Sequence, residues 1–265
     1  MEWWQSIVLG LVQGLTEFLP VSSSGHLAIG RWILGAGAAG EDLVFEVVVH
    51  AATVCATIVV FRKEIGRLLA GLFKFRYNAE TDYILKICVS MIPVLVVGLF
   101  FKDNVEAAFS SLKVVGGALL LTALLLWLSD RWAADRAAPG SPVAISWWQA
   151  FVIGLAQACA VIPGLSRSGS TISTGLLCGV KRSDVAQFSF LMVLVPILGE
   201  AFLDIVGGDM AASATGLLPL ALGFISAFIS GLFACRVMIA LVKRASLKWF
   251  ALYCLLVGTL TLILS

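Results

Sequence analysis

The sequence predicts an all-α integral membrane protein, with six transmembrane helices and two re-entrant helical hairpins in an inverted-topology repeat. Three observations carry this. The 265 residues are 60% hydrophobic and 13% charged, about half the charge that a soluble domain uses to cover its surface. Apolar stretches at approximately 42–61, 83–101, 112–128, 187–206, 214–237 and 247–264 each suffice to cross a bilayer, which needs roughly 17–25 residues. And a segment near the start, Trp3 to Leu27, occurs a second time as Trp147 to Ile172.

The repeat comes first along the chain. Trp3, Trp4, Gln5, Val8, Gly10, Leu11 and Gln13 return as Trp147, Trp148, Gln149, Val152, Gly154, Leu155 and Gln157. After a slip at the proline (Pro20, Pro163), Ser22, Ser24 and Gly25 return as Ser166, Ser168 and Gly169. Each copy is an apolar arm of about 15 residues, a Pro, a Gly/Ser turn and a second short arm (27–34 and 170–180). Such arms are too short to cross separately, so each copy reads as a hairpin that enters and leaves on one side. The paired tryptophans suit anchors at the hairpin mouths. The whole chain, 1–265, reads as one membrane domain: repeat one over 1–128, repeat two over 147–265, and a cytoplasmic linker at 129–146.

Loop charge orients the spans. Arg62, Lys63, Arg67, Lys74 and Arg76 follow the first span, Lys181 and Arg182 precede the fourth, and Lys243, Arg244 and Lys248 precede the last. The Gly35–Asp42 loop offers Glu41 and Asp42 without a base, and the 207–214 loop offers only Asp209. The excess of bases puts loops 62–82, 129–146, 179–186 and 238–246 in the cytoplasm and both termini outside, with Arg31 as a dissenting charge. Three spans then separate the two repeat copies. An odd number makes the copies enter from opposite faces, so their polar turns meet near mid-membrane.

The N-terminal apolar run lacks a basic n-region and carries Gln13 and Glu17. Its twin lies mid-chain, so it reads as retained rather than as a signal peptide. The six cysteines lie in apolar stretches without metal-ligand spacing and read as small buried hydrophobes. No basic stripe points to nucleic acid.

The chemistry collects on the two turns. Gln13 and Glu17 share one helix face, and a carboxylate inside the membrane costs about 2.5–3.5 kcal/mol. Ser22, Ser23, Ser24 and His26 follow it. The second copy has Val161 in place of the acid and supplies Ser166, Arg167, Ser168, Ser170 and Thr171. This set suits a phosphorylated ligand. Arg matches phosphate oxygens in pairs, a turn opening a helix presents backbone N–H groups to an anion, and the hydroxyls of Ser22, Ser24, Ser166, Ser168 and Thr171 add donors. Glu17 would repel a diphosphate unless it held a bridging divalent cation, with Gln13 as a neutral ligand, or served as a general base. His26 could be a general acid, a base or a nucleophile. Each has a plainer reading: a buried Glu17–Arg167 ion pair, a helix cap at Ser22–Ser24, an interior His26. His50, near Glu46, reads more readily as structural, and Glu200 with Asp204 as an interfacial polar face.

QGLTEFLPVSSSGH (Gln13–His26) resembles the (E/Q)-x-x-x-E and SS-x-GH signature of the bacterial undecaprenyl-diphosphate phosphatases of the bacitracin-resistance type. PGLSRSGST (Pro163–Thr171) resembles the PG-x-SRS-x-x-T motif of the same family, and the hydropathy is similar over essentially the whole chain. The resemblance implies removal of the terminal phosphate from undecaprenyl diphosphate. The monophosphate carrier then returns to cell-wall synthesis, and bacitracin resistance follows. It implies dependence on Mg2+ or Ca2+, and a site made of Gln13, Glu17, Ser23, His26, Ser166, Arg167 and Thr171. Glu17, Ser23, His26 and Arg167 are the catalytic candidates, and Glu17 with Gln13 the metal ligands. Gln13 stands at the motif's first glutamate position, which weakens any mechanism needing two carboxylates. The location implied is the bacterial inner membrane, and outward entry of the first hairpin favours the periplasmic side.

The rival expectation is a secondary transporter or flippase for a polyprenyl phosphate, which would use the same repeat and mid-membrane site. The partners expected are undecaprenyl diphosphate and membrane lipid, not nucleic acid. Small residues at every fourth position (Gly223, Ala227, Gly231) could pack helices closely, within the chain or in a homodimer.

Overall fold

The computed structural model describes residues 1–36, 43–109, 111–132, 145–199, 215–244 and 246–265, which contain helices and no strand. In order they are α1 (Trp3–Phe18), α2 (Ser23–Leu34), α3 (Leu43–Leu72), α4 (Ala79–Phe100), α5 (Lys102–Phe109), α6 (Leu112–Trp132), α7 (Trp147–Cys159), α8 (Arg167–Leu177), α9 (Arg182–Met192), α10 (Leu217–Arg244) and α11 (Lys248–Leu264). The α9 path continues as helix through 194–199.

Five helical stretches are long and apolar enough to cross a membrane: Val44–Leu72, Ala79–Phe100, Leu112–Trp132, Arg182–Gly199 and Leu217–Val242. They match five of the six expected spans. The sixth, Lys248–Leu264, is an apolar helix of 17 residues, about 26 Å at the usual rise, against a core of about 30 Å. The arms of the repeat are shorter, at 16 and 12 residues in α1 and α2 and 13 and 11 in α7 and α8. The surface is inverted relative to a soluble protein. Leu95, Leu99, Ile229, Phe233, Leu256 and Ile263 are exposed, whereas Gln13, Ser90, Ser129, Gln157, Ser166 and Ser173 are almost fully buried. Only an apolar solvent rewards that arrangement.

The halves exchange their arms. α1 packs along α10, and α7 packs along α4. Glycines make both approaches possible. A side chain at Gly10 would strike the Gly223 carbonyl, one at Gly14 the Ala227 carbonyl, and one at Gly154 the Ser90 carbonyl. The α10 stripe is therefore filled from within the chain: Ala227 is fully buried, and Gly231 looks toward Ala56, Phe18 and Thr53. Close helix packing at Gly223, Ala227 and Gly231 is thus made by α1 and α3 of the same chain. Short-residue spacing licenses close packing but does not choose the partner. α6 and α11 pack against each other, α6 touching α8 and α11 reaching α2 through a Tyr253–His26 contact.

Two expected boundaries shift. α3 runs to Leu72, so much of the basic 62–82 segment is helix. Arg67 there pairs with Glu64 at 2.6 Å and with Glu80 of α4 at 2.7 Å, an arrangement that lets a helix outlast its apolar run. α6 likewise continues to Trp132, so 129–132 are helical, held where Asp130 accepts from Arg182 at 3.3 Å and from the Leu247 N–H at 3.0 Å. Glu41, Asp42, the 133–144 part of the linker, Glu200, Asp204 and Asp209 lie outside the described residues. All six cysteines are free.

Candidate active site

Both hairpins are built alike. The side chains of Gln5 and Gln149 close a capping box at the start of α1 and α7. Each then reaches across to a carbonyl ending the second arm, Gln5 Nε2 to Leu34 O at 3.0 Å and Gln149 Nε2 to Cys178 O at 2.9 Å. The Ser-rich motifs are not turns ahead of the second arms, as their composition suggests, but the first turns of those arms. Ser22 caps α2 by accepting from the Gly25 N–H at 3.3 Å, and Ser166 caps α8 by accepting from the Gly169 N–H at 3.0 Å. Ser22 pairs with Ser24, and Ser166 with Ser168, at 3.4 Å each. A short side-chain acceptor satisfies one orphan N–H and leaves the others to face outward. Ser22 adopts φ 71°, a left-handed conformation that costs a serine about 1–3 kcal/mol.

The two turns touch. A Cβ on Gly25 would lie 2.9 Å from Gly164 Cα, and Ser168 Oγ donates to the Leu19 carbonyl at 3.0 Å. Gly164 has φ 93° and sits against the Val115 carbonyl of α6. Thr122, also on α6, donates to the Gly164 carbonyl at 3.1 Å and accepts from the Ser166 N–H at 2.9 Å. The N-termini of α2 and α8 thus open toward one place, and each carries partial positive charge.

Glu17 stands between them. Its Oε2 accepts from Ser23 Oγ at 2.6 Å and from Gln13 Nε2 at 2.9 Å. The first is the short distance of a charge-assisted hydrogen bond. Two cavities share Glu17, Arg167 and Ser168. One is polar, with Ser22, Ser23, Ser24 and Ser166 in its wall. The other is mixed, bounded by Phe18, Thr53, Thr57, Phe190, Val193 and Ile197. Arg167 is half-buried, and its guanidinium makes no hydrogen bond or ion pair among the described residues. The plainer reading of Glu17 and Arg167 as an ion pair stitching the hairpins fails on this point: they interact across a cavity without forming a contact pair. An unpaired guanidinium facing buried donors and open space is arranged for an anion from outside the chain.

Gln13 is fully buried, and its Oε1 has no hydrogen-bond partner. Its counterpart Gln157 is also buried, with its Oε1 unpartnered and its Nε2 no closer than 3.8 Å to Met91 Sδ.

The remaining candidates fall elsewhere. His26 lines neither cavity. Its Nδ1 lies 2.7 Å from the Ser22 carbonyl oxygen, and its Nε2 lies 2.8 Å from Tyr253 Oη. A carbonyl can only accept, so Nδ1 is the donor. Thr171 is buried, its hydroxyl donating to the Arg167 carbonyl at 2.8 Å and meeting Ser189 Oγ at 2.6 Å. It braces α8 against α9 and lines neither cavity. Sequence reasoning passed over Thr122, Ser189 and Tyr253, which belong to no motif. It gave His50 a structural role, yet His50 Nε2 lies 3.8 Å from Glu17 Oε2.

Residues 6–260 match the family described as Bacitracin resistance protein BacA. The chain is 54% identical over its full length to the undecaprenyl-diphosphatase of Bacteroides fragilis, covering 99% of that protein. It is 55% identical to the undecaprenyl-diphosphatase of Parabacteroides distasonis, over 99% of this chain and 98% of the relative. The undecaprenyl-diphosphatase of Christiangramia forsetii is 49% identical over the same shares.

Proposed function

The chain belongs to the bacitracin resistance protein BacA family, and from that membership we propose that it is an undecaprenyl-diphosphate phosphatase. It removes the terminal phosphate and returns undecaprenyl phosphate to cell-wall synthesis, so that bacitracin resistance follows. The observation that carries the reading is Ser23 Oγ at 2.6 Å from Glu17 Oε2, across a shared cavity from the unpaired Arg167.

The chain lies in the bacterial inner membrane, with α11 as the sixth crossing helix and the two hairpins entering from opposite faces. The exchange of α1 onto α10 and α7 onto α4 supports this reading, as does the abutment of Gly25 on Gly164. The substrate enters from the periplasmic side, its polyprenyl tail in lipid and its diphosphate at the hairpin turns. Arg167 and the N–H groups opening α2 and α8 bind the phosphoryl oxygens and stabilise the charge that grows on them, the main term in phosphoryl transfer. Ser22, Ser24, Ser166 and Ser168 supply neutral donors around them.

Glu17 takes the hydroxyl proton of Ser23 as Oγ bonds to the terminal phosphorus. The anhydride P–O bond breaks, and undecaprenyl phosphate leaves with the bridging oxygen. Water then attacks the phosphoserine, the Glu17 proton returns to the Ser23 oxygen, and dihydrogen phosphate departs. Ser23 is preferred to His26 as nucleophile because both His26 nitrogens are engaged, with Ser22 and Tyr253. His26 steadies α2 against α11.

The donor set suits a hard divalent cation, Mg2+ or Ca2+. Gln13 Oε1 is buried without a partner one turn from Glu17, and amide and carboxylate oxygens are the ligands such ions prefer. Among the described residues no three His, Cys, Asp or Glu cluster for a metal; Glu17 and Gln13 would hold the ion together with oxygens of the substrate phosphates. When bound, the cation neutralises phosphate charge beside the Glu17 carboxylate.

Purified protein in detergent tests the proposal. Phosphate release from a polyprenyl diphosphate is expected without any gradient and should be lost with chelator. No release from intact protein would favour the transport alternative and end the phosphatase reading.

A further inference from the structure

His50 stands on α3, outside both motifs, and is largely buried. Its Nδ1 lies 2.8 Å from the Glu46 carbonyl. The carbonyl only accepts, so Nδ1 donates, which fixes the ring and turns Nε2 toward α1. Nε2 then lies 3.8 Å from Glu17 Oε2, too far for a hydrogen bond but close enough to bound the space the carboxylate can occupy. The support is itself held. Arg31 of α2 is 1% exposed and donates through Nη1 to Glu46 Oε1 at 3.1 Å. A chain of contacts therefore runs from the end of α2, through the first turns of α3, to the acid on α1.

The distribution of contacts on Glu17 is uneven. Gln13 and Ser23 both donate to Oε2, and His50 faces that same oxygen. Oε1 has no hydrogen bond from the protein among the described residues. A swing of the Glu17 side chain toward α3 would carry the carboxylate away from Ser23, and the His50 imidazole bounds that side.

We propose that His50 is a positioning residue for the phosphatase reaction, holding Glu17 Oε2 on the Ser23 hydroxyl and leaving Oε1 for the phosphate side of the site. The proposal rests on the phosphatase reading, and its test separates the two.

Full-length protein in detergent is assayed for phosphate release from a short-chain polyprenyl diphosphate as wild type, His50→Leu and His50→Gln. Loss of an orienting partner typically costs about 10–100-fold. His50→Leu should lower kcat by about that factor with KM within about threefold, because the substrate contacts remain. His50→Gln, with a polar end of similar reach, should recover to within about fivefold of wild type. A second readout needs no activity. The chain has two histidines, so 15N-histidine spectra of wild type and His50→Gln assign both rings. Glu17→Gln should then shift the His50 Nε2 resonance and leave that of His26 in place. An unchanged kcat in His50→Leu, a loss confined to KM, or a His50 resonance indifferent to Glu17→Gln would each overturn the assignment. If wild type releases no phosphate, the phosphatase reading fails by itself, and the spectra decide whether His50 engages Glu17.

Discussion

The two hairpins share a frame and divide the chemistry. In both, a glutamine near the first tryptophans clamps the end of the second arm, and in both a serine caps that arm. The residue after each cap is where they part: Ser23 in the first, Arg167 in the second. The proposed nucleophile and the proposed phosphate-binding cation thus occupy equivalent positions at the openings of α2 and α8. Glu17 has Val161 as its counterpart, and His26 has Ser170. The two copies thus present similar helix openings, and only the first carries an acid beside its own.

The two hairpins are most vulnerable at the contact between their turns. Gly164→Ala puts a Cβ against the Val115 carbonyl at φ 93°, and should destabilise the protein by roughly 3 kcal/mol or more, read as a lower melting temperature in detergent. Next comes Thr122→Val. It strips the partner from the Ser166 N–H and one from the Gly164 carbonyl, with an expected cost of about 1–3 kcal/mol and a slower phosphate release, since only the second hairpin loses its clamp.

The glutamines sharpen the difference between the halves. Gln13→Leu removes a donor to Glu17 and should lower kcat about 10–100-fold. Gln157→Leu replaces an amide whose carbonyl is unpartnered, and should leave both rate and stability within about 0.5 kcal/mol of wild type. The caps lie between these two glutamine changes. Ser166→Ala should cost about 1 kcal/mol of stability. Ser22→Ala should cost no more than that, because the two serines make the same cap bond.

Much of this was legible from the residues. Long apolar runs declare spanning helices, and five of the six expected ones meet that description. The repeat pointed to the cavity that Glu17 and Arg167 share, because both are charges in segments that otherwise reject them. Helix ends were less legible. Arg67 and Glu64 prolong α3 through an i, i+3 pair plus a third partner, Glu80, that belongs to another helix. Thr122 and Tyr253 were invisible because their partners lie 42 to 44 and 227 residues away, and a lone Thr or Tyr in a span carries no pattern. His50 gave a sign in its spacing from Glu46, but which face of α3 meets α1 is decided by packing. Thr171 belongs to the second motif, but the motif does not show that its hydroxyl meets the Arg167 carbonyl and Ser189. The small-residue stripe at Gly223, Ala227 and Gly231 does pack helices closely, but its spacing could not say that the neighbours are α1 and α3 of the same chain.

In the proposed reaction an acid from one hairpin and a guanidinium from the other act on a single headgroup. Phosphate release by Glu17→Ala, Arg167→Ala and the double variant, each checked for an unchanged melting temperature, tests it most directly. Each single change should cut kcat by roughly 100- to 1,000-fold or more. The double variant should fall within about tenfold of the worse single one, as for groups that work as a unit. Near wild-type release from either single variant, or losses that simply multiply, would contradict it.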